Sequence, residues 1–125
     1  MGRLKVLAGL ILAAIPTLAH HSFSAQYDAK ERFTMTGTIA KVDWINPHSY
    51  ITLDVKDASG KVTEWSIEGY PPNTLIRTGV KRAMLKTGDT ITIEGCKARD
   101  GSLVGAGREI TFSDGKKVFW GPSGQ

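Results

Sequence analysis

Met35-Thr36-Gly37-Thr38-Ile39-Ala40-Lys41-Val42-Asp43-Trp44-Ile45-Asn46-Pro47-His48-Ser49-Tyr50-Ile51-Thr52-Leu53-Asp54-Val55 is the stretch whose reading decides the fold. In its second arm Ile51, Leu53 and Val55 alternate with Tyr50, Thr52 and Asp54, the period of two that a half-buried strand requires. Asn46-Pro47 is a turn signal. The first arm changes phase, from Met35 and Ile39 to Ala40, Val42 and Trp44. One extra residue, a β-bulge, restores a single buried face there. The stretch therefore reads as a bent hairpin of two long strands.

Downstream, further strands add to this hairpin. Asp57-Ala58-Ser59-Gly60 is a tight turn into a third strand, in which Thr63, Trp65 and Ile67 alternate with Glu64, Ser66 and Glu68. Pro71-Pro72 stops the sheet. Two short helical segments follow, Asn73 to Thr78 and Lys81 to Lys86, closed by Gly79 and Gly88, with Asn73 and Thr74 suited to N-cap the first. A fourth strand runs from Thr90 to Ala98 with a bend at Gly95, and a fifth follows Asp100-Gly101 and ends near Phe112. After Asp114-Gly115, Lys117-Val118-Phe119 is a short edge strand. This is the element order of an all-β, small five-stranded OB-like barrel with a short helical connection between strands 3 and 4. Its expected core is Ile39, Val42, Trp44, Ile51, Leu53, Val55, Trp65, Ile67, Ile91, Ile93, Val104 and Ile110.

Upstream, Arg3 and Lys5 precede the apolar run from Val6 to Ile15, and Thr17-Leu18-Ala19 supplies the small residues of a signal-peptidase site. That run is shorter than the roughly 20 helical residues needed to span a bilayer. The expected organisation is a cleaved signal peptide over residues 1–19, an N-terminal arm over 20–32 anchored by Phe23 and Tyr27, the OB-like domain over 33–119, and a disordered tail over 120–125. A periplasmic or secreted protein is expected, without a membrane anchor after cleavage.

Loss of Arg3 and Lys5 takes the formal charge from +4 to +2, and no clustered Lys/Arg stripe remains. On that basis no nucleic-acid partner is expected. Cys96 is the only cysteine, so an internal disulfide is impossible; it reads as a small buried strand residue, with a reactive thiol as the alternative.

Several segments together resemble one family. They are Ala-His-His-Ser-Phe-Ser-Ala-x-Tyr-Asp from Ala19, Thr-Gly-Thr-Ile from Thr36, Val-Asp-Trp-Ile-Asn-Pro-His from Val42, Leu-Lys-Thr-Gly-Asp from Leu85 and Asp-Gly-Lys-Lys-Val-Phe from Asp114. They are similar to a family of small exported bacterial proteins known as domain of unknown function 6152. The resemblance implies a signal peptide and one small β domain, and implies no activity.

Motifs for hydrolysis or phosphate binding are absent: there is no Gly-x-Ser-x-Gly, no His-Glu-x-x-His and no glycine-rich phosphate loop. Gly105-Ala106-Gly107 lies in a strand and reads as close backbone approach. Two constellations remain. Tyr50, Glu64, Ser66 and Glu68 share the outward face of the second and third strands, the usual ligand face of an OB barrel, where they form either a small-ligand surface or ordinary polar strand positions.

The three histidines are His20, His21 and His48. Cleavage after Ala19 makes His20 the N-terminal residue, whose free amine and imidazole can chelate a metal, with His48 or His21 adding a nitrogen. Few nitrogen ligands suit Cu(II) best. The alternative is a polar start to the mature chain and a hydrogen-bonding turn residue after Pro47. Two function classes therefore stay open, a binding module for a transition metal or small ligand, and a histidine-brace-like copper enzyme, with a structural subunit of an envelope complex as a third. A brace needs a second, well-fixed imidazole, and a small domain offers little substrate surface, so the balance favours binding over catalysis.

Overall fold

The computed structural model describes residues 23–122. The proposed signal peptide, His20 and His21, and residues 123–125 lie outside the described residues. Among the described residues there are six strands: β1 (Tyr27–Asp43), β2 (Tyr50–Lys56), β3 (Val62–Glu68), β4 (Thr90–Ala98), β5 (Val104–Phe112) and β6 (Lys117–Phe119). Between β3 and β4 lie the helix α1 (Pro72–Arg77) and a 3₁₀ turn (Arg82–Met84). The strands form one mostly antiparallel sheet in the order β3-β2-β1-β4-β5-β6. In addition, β3 pairs with β5 in parallel, Ser66 with Val104, Ile67 with Gly105 and Glu68 with Ala106.

The hairpin signal is realised as read. The β1–β2 register slips between Ile39 and Lys41, leaving Ala40 as the extra residue. Below the slip Phe33 and Ile39 are buried, and above it the inward series continues through Val42 and Trp44. A second slip, between Asp28 and Arg32 against β4, absorbs residues 29–31, and the Lys30 N–H donates to Asp28 Oδ1 at 3.0 Å. Beyond this local Asx turn the chain rejoins the ladder, with Tyr27 opposite Ala98. The segment expected to be an arm up to Arg32 is thus strand from Tyr27 onward.

Ile39, Ile51, Leu53, Ile67, Ile91, Ile93 and Ile110 are buried in one cluster, and Val42, Trp44, Val55 and Trp65 pack against it half-exposed. Four buried side chains of that cluster, Leu75, Val80, Leu85 and Trp120, come from the helical connection and the C-terminal end. Trp120, expected to open a disordered tail, is fully buried. Its N–H donates to the Arg108 carbonyl at 2.7 Å and its own carbonyl accepts from the Tyr70 N–H at 2.8 Å. Gly69 and Gly107 make room for it: a Cβ at Gly69 would sit 2.5 Å from the indole, and one at Gly107 2.6 Å from it. The close backbone approach read from the strand glycines is therefore an approach to a side chain as well.

Helix α1 starts one residue earlier than expected, with Pro71 as N-cap and no side-chain cap, so Asn73 and Thr74 do not cap it. Pro72 occupies the first turn, where its missing N–H costs nothing and its fixed φ fits the helix. The second helical segment is only the 3₁₀ turn.

Candidate functional site

The β2–β3 ladder sets Tyr50 opposite Glu68, Thr52 opposite Ser66 and Asp54 opposite Glu64. Because side chains alternate faces along a strand, Tyr50, Glu64, Ser66 and Glu68 do share one face, as expected from their spacing. They are not equivalent. Glu64 is exposed at the far end of the ladder, whereas the Glu68 side chain is only 14% exposed and is held at both oxygens.

One oxygen, Oε2, accepts a hydrogen bond from the Tyr27 hydroxyl. The other, Oε1, lies 3.1 Å from His48 Nδ1. His48 stands in the loop between β1 and β2, just after the cis Asn46-Pro47 bond. That loop is tied to the chain leaving β3, since the Gly69 N–H donates to the Ser49 carbonyl at 2.8 Å and the Ser49 N–H to the Tyr70 carbonyl at 3.2 Å. The ladder and these two bonds put His48 beside Glu68.

Tyr27 comes from the opposite direction. It is 2% exposed and packs in a satellite cluster with Cys96, Ala98 and Ala106, against which Phe23 also lies. Tyr27 pairs with Ala98, Cys96 with Ala106, and Ala106 with Glu68. The small side chains of β4 and β5 thus leave a shallow floor, over which the phenol ring reaches from β1 to the end of β3.

Two consequences follow for the chemistry. Burial, reinforced by the Glu68 hydrogen bond and charge, pushes the Tyr27 phenol well above its ordinary range, so it stays a donor. Burial and the Glu68 charge also raise the Tyr50 phenol. Second, His48 Nδ1 faces acceptors alone, Glu68 Oε1 at 3.1 Å and the Gly69 carbonyl at 3.4 Å. A neutral imidazole there carries its proton on Nδ1 and keeps the Nε2 lone pair free. With the side chain 47% exposed, His48 is an imidazole oriented by a carboxylate and open to solvent, an arrangement suited to ligating a metal or accepting a proton.

Among the described residues no three His, Cys, Asp or Glu side chains converge on a metal-sized site. Of the predicted residues the structure brings together His48, Tyr50 and Glu68; Ser66 and Glu64 lie progressively further along the ladder. The member missed from sequence is Tyr27, which read only as an anchor. A separate cleft bordered by Met84, Asp89, Phe112 and Lys116 contains none of the predicted site residues.

A family model described as "Family of unknown function (DUF6152)" matches residues 8–108. The chain belongs to this family. The DUF6152 match spans His48, Glu68 and Tyr27 and stops short of β6 and Trp120. None of the curated proteins compared matches the chain.

Among solved structures, this DUF6152 chain is similar to the mitochondrial single-stranded DNA binding protein Rim1 of S. cerevisiae. One crystal form aligns with a TM-score of 0.50 at 13% identity, covering 66% of this chain and 92% of that one. A second form gives 0.47 at 14% identity, covering 66% and 94%. At such identity the likeness shows the fold alone, a mostly antiparallel β fold that is OB-like. It also corrects the expectation about partners. Rim1 is named for binding single-stranded DNA, so the exclusion of nucleic acid drawn from the charge distribution does not stand.

Proposed function

We propose that this DUF6152 protein is an exported β-barrel module that binds one Cu(II) ion through His48 Nε2 together with the amine and imidazole of His20, with His21 in reserve. The observation that carries the reading is the Glu68–His48 pair, 3.1 Å between Oε1 and Nδ1, which fixes an otherwise loop-borne imidazole with its second nitrogen outward. Metal-bound histidines characteristically give their other ring N–H to such a carboxylate or carbonyl. Nitrogen donors in small number favour Cu(II) over the other divalent first-row ions.

The barrel reading is supported by the β3–β5 pairing, which links the strands in a ring, β1-β2-β3-β5-β4 and back to β1, with β6 appended. We read that ring as the five-stranded OB arrangement. The N-terminus can meet His48 because Tyr27 already bonds the carboxylate that His48 bonds.

Export and cleavage before His20 are part of the proposal, and the mass of the secreted protein tests them directly. The metal reading is tested by titrating Cu(II) into authentic mature protein, a version with one residue added before His20, and His48→Ala. Tightest binding is expected in the first. Equal affinity with and without the added residue would sink the amine chelate, and an unchanged His48→Ala would remove His48 from the site. Affinity should fall as pH falls, since each ligating nitrogen must shed its proton first.

A further inference from the structure

Glu68 joins two parts of the chain that nothing else in the site connects. Its Oε2 is taken by the hydroxyl of Tyr27 and its Oε1 by His48 Nδ1. A glutamate side chain on its own has several rotamers and could aim either oxygen elsewhere. The buried phenol cannot release its partner without leaving a buried donor unpaired, so it holds the carboxylate in one orientation.

We infer that Tyr27 is a positioning residue for His48: by occupying one oxygen of Glu68 it aims the other at Nδ1, so that docking of the segment 23–28 and availability of His48 Nε2 are a single equilibrium. The segment is built to dock as a unit. Beyond the bulge at 29–31, only Tyr27 and Asp28 remain in the ladder with β4. Arg99 adds to its attachment: its Nε donates to the Ser24 carbonyl at 2.6 Å, its N–H donates to the Gln26 carbonyl at 2.9 Å and its guanidinium lies 3.6 Å from Asp28. Phe23 stacks beside Tyr27 with centroids 5.2 Å apart. Such a short terminal clasp, with two residues in the ladder and one buried ring, opens more readily than the central strands.

When the clasp opens, Glu68 loses its Tyr27 partner and the His48 tautomer is held less firmly, with the Gly69 carbonyl at 3.4 Å as the acceptor that stays in place. By reciprocity, a ligand on Nε2 that prefers the fixed imidazole closes the clasp by the same factor. This coupling rests on the Cu(II) reading for its ligand, and on the structure alone for the tautomer.

Two measurements separate the two. The first is the imidazole ¹⁵N spectrum of the metal-free mature protein at about pH 8, where histidine is ordinarily neutral. His48 should be the Nδ1–H tautomer in the wild type and in Lys116→Ala, which lies in the separate cleft, and a mixture in Tyr27→Phe and Glu68→Ala. An Nε2–H wild type, or a Tyr27→Phe spectrum identical to wild type, overturns the inference. Because Tyr27→Phe keeps the ring, its fold is expected to survive; should it not, Glu68→Ala and the wild-type tautomer decide the matter. The second is Cu(II) affinity, which Tyr27→Phe should lower about 10-fold, at the mild end of the range for residues behind a ligand. Lys116→Ala should leave it unchanged. A tautomer shift in a protein that binds no Cu(II) upholds the Tyr27 relationship and discards the metal. Binding with equal affinity in wild type and Tyr27→Phe upholds the metal and discards the coupling.

Discussion

Trp120 donates its indole N–H to the carbonyl of Ile67, 3.4 Å away, and so fastens the residues after β6 to the C-terminal end of β3. Trp44 meets it edge-on with centroids 6.1 Å apart, and Arg82 lies over the Trp44 ring at 5.2 Å. Trp120→Ala leaves a large hole beside two glycines that cannot fill it, so a loss of about 3–5 kcal/mol is expected. Half-exposed Trp65, packed on Phe33 at 6.1 Å, should cost less when replaced by Ala. Denaturant unfolding of the two variants checks the order.

Gly107 is the converse case. A Cβ there would lie 2.6 Å from Trp120 Cδ1, 2.8 Å from Ile67 Cγ2 and 2.9 Å from Ile93 Cδ1. All three neighbours belong to packed core side chains that cannot step aside together. Gly107→Ala should destabilise by about 1–3 kcal/mol through overpacking. A melting temperature equal to wild type would show that the core yields there.

Cys96 is 3% exposed, and burial pushes its thiol upward. The thiolate is the reactive form, so the native protein should be inert to a thiol reagent at neutral pH and react stoichiometrically once denaturant is added. Fast reaction of the native protein would expose the floor beneath Tyr27 as open.

The Tyr27 phenol is raised in the folded state above the ordinary value of 10.0, mainly by burial and then by Glu68. Its contribution to stability is therefore complete below about pH 10 and lost as pH rises further, because the unfolded chain ionises first. Phenolate absorbance should show the Tyr27 step coinciding with alkaline unfolding, and Tyr27→Phe should move that unfolding to higher pH. A Tyr27 phenolate formed in a still-folded protein contradicts this.

Where the fold was readable, the signal was local. The phase change from Ile39 to Val42 lies within a few residues of the bulge it marks, and Asp57, Asp100 and Asp114 each stand in the turn they make, accepting a backbone N–H two residues on at 2.9 Å. His48 and Glu68 could each be singled out by residue type. Their junction through Tyr27 could not, because Tyr27 and Glu68 are 41 positions apart and meet over Cys96, Ala98 and Ala106, whose small size carries no message until the strands are ordered. The burial of Trp120 is hidden from the sequence for a related reason. It follows the last strand and precedes Gly121-Pro122, a composition that signals a loose end, while Gly69 and Gly107, which shape its slot, sit just after β3 and on β5.

Trp120 also sets a clock. It is the most C-terminal large side chain of the core, and the strand and loop atoms that receive it are synthesised well before it. A chain emerging N-terminus first, from the ribosome or across a membrane, carries its sheet without this wedge until Trp120 itself is out. Until then the slot between Gly69 and Gly107 stands empty, and the partly made protein stays loose enough to be threaded, held or degraded.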